Sequence, residues 1–255
     1  MRKKVVLLLL IIFTVILSGC TNNAQTKKEI NISVAASLLD PMTKIAEIYE
    51  KYNNVKVNIN SGGSGTLKKQ ISEGADVGLF FSANEKYVDQ LISEGLASEA
   101  NKVDEVFNKL VLIKSNNATT NISDIKDLAN FNGKIAIGEP GTVPAGQYAK
   151  ETLESLGIWN DIESKIVYCK DVTAVKTYVE KGEVDYGFVY KSDAINLKDS
   201  AILEEIDDSL HSPINYSLIP INGYKYSEEC KALINLILSD GGKAILKEYG
   251  FEVKE

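Results

Sequence analysis

The sequence predicts an α/β protein of two lobes, each a mixed sheet flanked by helices. Three observations predict it. Short apolar runs alternate with amphipathic stretches of helical spacing, the pattern of a parallel or mixed sheet covered on both faces. Two such series fit within the 255 residues, a length ordinary for one large domain or two modest ones. No Pro-rich or Ser-rich linker separates the series, which favours lobes joined by short strand-like crossovers.

Composition narrows the function classes. Hydrophobic residues at 44% and charged residues at 25% are ordinary for a globular chain and argue against disorder. A net charge of -7 argues against a general nucleic-acid binder. Three cysteines and one histidine are too few for a zinc cluster or a disulfide-dense scaffold, so no direct cation site is expected. His-based catalysis would have to run through His211 alone.

The chain opens on a basic head, Arg2, Lys3 and Lys4, followed by the apolar run Val5–Leu17, broken only by Thr14. That run is short for a membrane span and fits the core of a signal peptide over residues 1–19; an uncleaved anchor helix is the alternative. It ends in Leu17-Ser18-Gly19-Cys20, which resembles the bacterial lipobox and implies that Cys20 becomes the lipidated first residue of the mature chain. Residues 20–29 then read as that cysteine and a polar tether. Cys169 and Cys230 are expected to be buried free thiols in different lobes.

From Ile30 each element has its signal. Ile30–Val34 reads as a strand, and Asp40-Pro41 as N-cap and first residue of a helix carrying Ile45, Ile48, Tyr49 and Tyr52. Val55–Ile59 alternates as a strand, Ser61–Gly65 is a loop, and Thr66–Ser72 a helix ended by Gly74. Val77–Phe81 is a strand and Asn84–Ser93 a helix closed by Gly95. The second series places strands at Lys109–Lys114, Lys134–Gly138, Lys165–Tyr168 and Val184–Val189. Its helices are Asp124–Ala129, Pro144–Leu156 and Val172–Lys181, the last two stopped by Gly157 and Gly182. A strand at Ile214–Ile219 and helices at Ser227–Leu238 and Gly241–Tyr249 close the chain.

In open α/β sheets, ligands bind beyond the carboxyl ends of strands, near helix N-termini. The junctions there are rich in small residues and hydroxyls and poor in His, Arg and Lys. They hold Ala36-Ser37, Gly62-Gly63-Ser64-Gly65, Val143-Pro144-Ala145-Gly146, Asp171-Val172 and Val189-Tyr190. Several helix starts converging there would suit an anion, with Ser37, Ser64 and Tyr190 adding neutral O–H donors. The Gly-rich loop lacks the Gly-Lys-Ser/Thr ending of a nucleotide P-loop and the third glycine of a dinucleotide fingerprint.

Together these segments resemble the periplasmic molybdate-binding proteins of ABC transporters. The resemblance runs through Val34-Ala35-Ala36-Ser37-Leu38, Ser64–Ile71, Leu79–Asn84, Val143–Glu151, Leu156–Trp159, Asp171-Val172, Gly187–Ala194 and Tyr249-Gly250-Phe251, covering essentially everything after residue 29. It implies a two-lobed type II periplasmic-binding-protein fold with the ligand in the cleft, lobe 1 being residues 30–110 and 198–255 and lobe 2 residues 111–197. It implies that Ser37 and Ser64 contact a molybdate or tungstate oxyanion through hydroxyls, Ala145 and Val172 through backbone N–H groups, and Tyr190 through its phenol. It also implies no cofactor, a monomer, and delivery of the anion to a membrane permease. Asn84 stands where the family commonly has an acid.

Two other readings compete. The same fold could serve sulfate, phosphate or a small organic acid, although a carboxylate normally calls for an Arg clamp and no arginine follows Arg2. An exported hydrolase with Ser37 or Ser64 as nucleophile would need His211 as its base, and no nucleophile-elbow motif surrounds either serine.

Overall fold

The computed structural model describes residues 27–254. The expected signal peptide, and Cys20 with it, lie outside the described residues. Two sheets organise the chain. The first has six strands in the order β11-β4-β10-β3-β1-β2: β1 (Lys28–Ala35), β2 (Val55–Gly62), β3 (Leu79–Ser82), β4 (Val103–Phe107), β10 (Asn215–Pro220) and β11 (Glu252–Val253). The second has five in the order β7-β6-β8-β5-β9: β5 (Leu110–Ser115), β6 (Ile135–Gly138), β7 (Ile166–Cys169), β8 (Tyr186–Tyr190) and β9 (Ser200–Glu205). Both are mixed. β1 runs parallel to β2 and β3, while β10 returns antiparallel to β3. β6 runs parallel to β7 and β8, while β5 runs antiparallel to β8 and β9.

Helices cover these sheets because their apolar residues recur on one face. In the first lobe they are α1 (Leu39–Tyr52), α2 (Ser64–Ser72) and α3 (Glu85–Ser93). The second lobe adds α4 (Pro144–Ser155), the single turn α5 (Trp159–Ile162) and α6 (Val172–Glu180), and the chain closes with α7 (Ser227–Leu238) and α8 (Asp240–Glu248). α1 turns Met42, Ile45, Ala46 and Tyr49 inward, and all four are buried. Gly74, Gly95, Gly157 and Gly182 follow helices with φ between +69° and +92°, the left-handed stop that glycine adopts without steric cost.

Several boundaries differ from the expectation. Asp40 is not an N-cap: a 3-10 turn over Ala36–Leu38 leads straight into α1, whose cap position is Leu38 and has no side-chain bond. The expected loop Ser61–Gly65 shrinks to Gly63, because β2 extends through Gly62 to match β1 and α2 begins at Ser64. Lys28 and Glu29, read as tether, pair with Val55 and Lys56 at the start of β1. β9, placed in lobe 1 by the expected boundary at 198, hydrogen-bonds to β5 in the second sheet. By sheet membership the second lobe therefore runs from Leu110 through Glu205, and the crossovers are residues 108–109 and 206–214. The crossovers touch where Asn108 N donates to Ile214 O at 3.3 Å.

Cys169 and Cys230 are both free and buried, in β7 and α7. Burial pushes the thiol of Cys169 up to about 11 and that of Cys230 up to about 12, so both stay protonated near neutrality.

Candidate functional site

Between the lobes lies a small cavity lined by the strand ends and helix starts. No charged side chain lines it. The structure brings all five expected contact residues to its wall: Ser37, Ser64, Ala145, Val172 and Tyr190. Ser37 sits in the 3-10 turn after β1, and Ser64 is the first residue of α2. Ala145 is the second residue of α4, Val172 the first of α6, and Tyr190 the last of β8.

Local sequence explains why these groups face the cavity. The N–H groups of a helix's first turn have no intrahelical acceptor. Pro144 at the first position of α4 has no N–H, and Gly146 and Gln147 donate back to Val143 O, which leaves Ala145 as the outward donor. Asp171 caps α6 by accepting from Ala174 N, leaving Val172 N free of the cap. Neither α2 nor α4 has a side-chain cap. Three helix N-termini thus point their positive dipole ends at one small space.

The hydroxyls are held differently. Ser64 is fully buried, and its Oγ accepts the Ala83 N–H at 3.0 Å, so its own hydrogen is available to the cavity. Ser37 Oγ lies 2.8 Å from Tyr216 Oη. Tyr190 is 1% exposed, and its Oη has no hydrogen-bond partner among the described residues. Burial raises its phenol well above the usual range, so it remains an O–H donor. A buried polar atom without a partner normally costs stability and marks a place where a ligand supplies the bond. Glycines let the walls close in: a Cβ at Gly63 would sit 2.9 Å from Thr142 O.

Tyr216 and Asn108 were missed by sequence reasoning. The sequence marks Tyr216 only as part of the strand Ile214–Ile219, and Asn108 lies in the crossover next to β5. Tyr216 packs edge-on against Tyr190 at 5.7 Å and joins Ser37 to the Asn108 amide.

The lobes meet across the cleft. Gly65 N donates to Thr142 O at 2.8 Å, Tyr87 Oη to Gly141 O at 3.1 Å, and Asn84 Nδ2 to Tyr148 Oη at 2.9 Å.

A Ser–His pair is not formed. His211 Nδ1 lies 2.8 Å from Ser212 O and its ring packs on Tyr148, while Ser37 and Ser64 hold the partners named above. Among the described residues no group of three or more His, Cys, Asp or Glu is placed to hold a metal ion.

A protein of Bacillus subtilis (strain 168), provisionally named ABC transporter substrate-binding lipoprotein YvgL, is 38% identical over 242 residues, covering 92% of this chain and 93% of that one. The molybdate-binding protein ModA of Escherichia coli (strain K12) is 30% identical over 238 residues, covering 91% and 92% of the two chains. The structure of the Azotobacter vinelandii periplasmic molybdate-binding protein superposes with a TM-score of 0.79 at 23% identity, over 89% of this chain and all of that one, which shows the periplasmic-binding-protein fold. Residues 30–252 match the model of the bacterial extracellular solute-binding proteins; the chain belongs to that family, as a solute-binding protein of an ABC transporter and not an enzyme.

Proposed function

We propose that the chain captures molybdate, and tungstate with it, and hands the anion to the permease of an ABC transporter. In this reading Cys20 carries the lipid that keeps the body at the outer face of the cell membrane, and the protein acts as a monomer. The observation that carries the proposal is a small cavity lined by uncharged residues, whose polar groups are hydroxyls and backbone N–H donors, with the Tyr190 phenol buried and without a close partner among the described residues. A fully deprotonated tetrahedral dianion offers only acceptors, so a wall of O–H and N–H groups satisfies it without a cationic side chain. Each such bond to a charged oxygen is stronger than a neutral one. The 30% identical molybdate-binding relative supports the same ligand.

Size and protonation would set selectivity. A smaller sulfate could not reach every donor at once, and each buried donor left unpaired costs about 1–3 kcal/mol. Hydrogenphosphate carries a hydrogen that needs an acceptor. Molybdate and tungstate differ in neither respect.

The test is thermal unfolding of the body, residues 21–255, with molybdate, tungstate, sulfate or phosphate. A ligand at a thousand times its dissociation constant adds about 4 kcal/mol of stability. Shifts with molybdate and tungstate alone are expected. A shift with sulfate or phosphate instead would keep the site and overturn the ligand.

A further inference from the structure

Asn108 sits in the two-residue crossover between β4 and β5. Its Oδ1 accepts the backbone N–H of Lys109 at 2.9 Å and of Ser192 at 3.4 Å, which identifies the oxygen end of the amide. Its Nδ2 therefore donates, to Ser192 Oγ at 2.8 Å and to Tyr216 Oη at 3.3 Å. Tyr216 is fully buried, and its Oη lies 2.8 Å from Ser37 Oγ, a distance at which either oxygen could be the donor. Asn108 breaks the tie. With Tyr216 Oη accepting from the amide, the phenol hydrogen meets Ser37 Oγ at 2.8 Å, and Tyr190 Oη is the other oxygen it could face. The opposite polarity would turn that hydrogen toward Tyr190 Oη, which makes no close hydrogen bond, so the bond to Ser37 is the better one.

We infer that Asn108 and Tyr216 form a proton-orienting relay that fixes Ser37 as a donor toward the cavity and so sets selectivity for oxyanions that carry no hydrogen. The inference rests on the oxyanion reading of the site. Both are positioning residues, acting on the ligand through Ser37. Ser64 reaches the same polarity by a shorter route, because the Ala83 N–H occupies its oxygen. Both hydroxyls contributed by the first lobe thereby keep their hydrogen for the cavity. A hydrogenphosphate or other hydrogen-bearing anion loses a bond wherever its own hydrogen faces one of these donors.

The relay predicts a reversal that simple damage does not. In Asn108→Asp the new carboxylate has no hydrogen to give and takes the Tyr216 hydrogen instead. Tyr216 Oη then accepts from Ser37, and Ser37 presents its lone pairs to the anion. Calorimetric titration of molybdate, tungstate, sulfate and hydrogenphosphate would compare the wild type, Tyr216→Phe, Asn108→Asp and the double variant. On the anion that the wild type binds most tightly, Tyr216→Phe should weaken binding about tenfold, the order of one oriented hydrogen bond. The same variant should narrow the preference over hydrogenphosphate. Asn108→Asp should weaken binding by about a hundredfold, and adding Tyr216→Phe to it should recover about tenfold, since the phenol that transmits the reversal is gone. A double variant no tighter than Asn108→Asp overturns the relay and leaves only a charge or folding effect.

A wild type that binds none of the four anions would refute the oxyanion reading, and the relay then has a readout without ligand. The buried Tyr216 hydroxyl hydrogen should give its strongest nuclear Overhauser contact to the Ser37 β-protons in the wild type. In Asn108→Asp that contact should move to the β-protons of residue 108. A wild-type hydroxyl without the Ser37 contact overturns the relay independently of any ligand.

Discussion

The backbone N–H of Gly65, in the first turn of α2, donates to the carbonyl of Thr142 in the other lobe at 2.8 Å. The bond is possible because Gly65 has no side chain. A Cβ there would lie 2.8 Å from Thr142 Cα and 3.0 Å from Thr142 O, against backbone that cannot yield without separating the lobes. Gly65→Ala should therefore weaken ligand binding by an order of magnitude or more while leaving each lobe folded. Helix propensity even favours alanine by about 1 kcal/mol at an interior position. Gly74→Ala is the control. Gly74 adopts φ +92° with open space around its Cβ position, so alanine there should cost stability through backbone strain of about 1–2 kcal/mol and leave affinity unchanged. Titration and thermal unfolding of both variants separate the two effects, and equal affinities in both would discard closure as the role of Gly65.

Tyr190 offers a variant in which affinity and stability part company. Its hydroxyl is buried and unpartnered among the described residues, so Tyr190→Phe removes a penalty from the ligand-free state and a donor from the bound one. Oxyanion affinity should fall by about 1.5–3 kcal/mol, the range for a bond to a charged group, while the ligand-free protein unfolds at the same temperature or higher. Unchanged affinity would remove Tyr190 from the proposed site.

Much of this site was legible because its donors stand where the sequence changes period. Ser64, Ala145 and Val172 each open a helix after a strand, and the Gly and Pro residues beside them announce those junctions. The supporting layer was not legible. Tyr216 lies on β10, far in sequence from Ser37, and only the pairing of β10 beside β3 places its phenol behind the cavity. Asn108 carries no local signal, since its role depends on two crossovers meeting. β9 was missed for a related reason: Ala201 to Glu205 is not buried and is mostly polar at its end, so an edge strand of the second sheet reads as loop. Asp40 misled in the other direction. Asp before Pro is a good helix start, but the turn at Ala36–Leu38 had already set the chain into helical conformation.

Asn84 joins a helix cap to a bond between the lobes. Its Oδ1 caps α3 by accepting from Lys86 N at 2.9 Å, and its Nδ2 reaches Tyr148 Oη in the other lobe. An acid at this position would keep the cap and would have to accept from the phenol, reversing the bond. Asn84→Asp should thus unfold at a temperature equal to or above that of wild type, because a carboxylate also suits the helix N-terminus. Asn84→Ala should lose about 1 kcal/mol from the missing cap and several-fold in ligand affinity from the missing bond between lobes. A drop in stability with Asp as large as that with Ala would show that the amide hydrogen, not the cap, is what the fold requires.

Asp193, just beyond β8, makes the protein sensitive to pH, for its buried Oδ2 has no hydrogen-bond partner. Burial raises its carboxyl from 3.8 to about 7; Lys176 pulls the other way, and Asp171 and Asp40 add to the rise. The folded protein therefore holds this proton more tightly than the unfolded chain does. The associated stability is complete below pH 3.8, is lost progressively between about pH 4 and pH 7, and stays lost above that range. The amide introduced by Asp193→Asn is neutral throughout, so the stability of that variant relative to wild type should grow from pH 4 to pH 7 and then level off. Because Asp193 is only partly buried as a residue, the gain at pH 8 should be about 1–2 kcal/mol, less than the full shift would give. Burial is the main cause that raises the phenols of Tyr190 and Tyr216, and the Asp193 carboxylate adds to both, so its charge is felt at the cavity. Dianion affinity of the wild type should accordingly fall as pH passes 7, and that of Asp193→Asn should not. Thermal scans and titrations at pH 5, 6, 7 and 8 read both effects, and parallel profiles for the two proteins would show that Asp193 titrates far below neutrality.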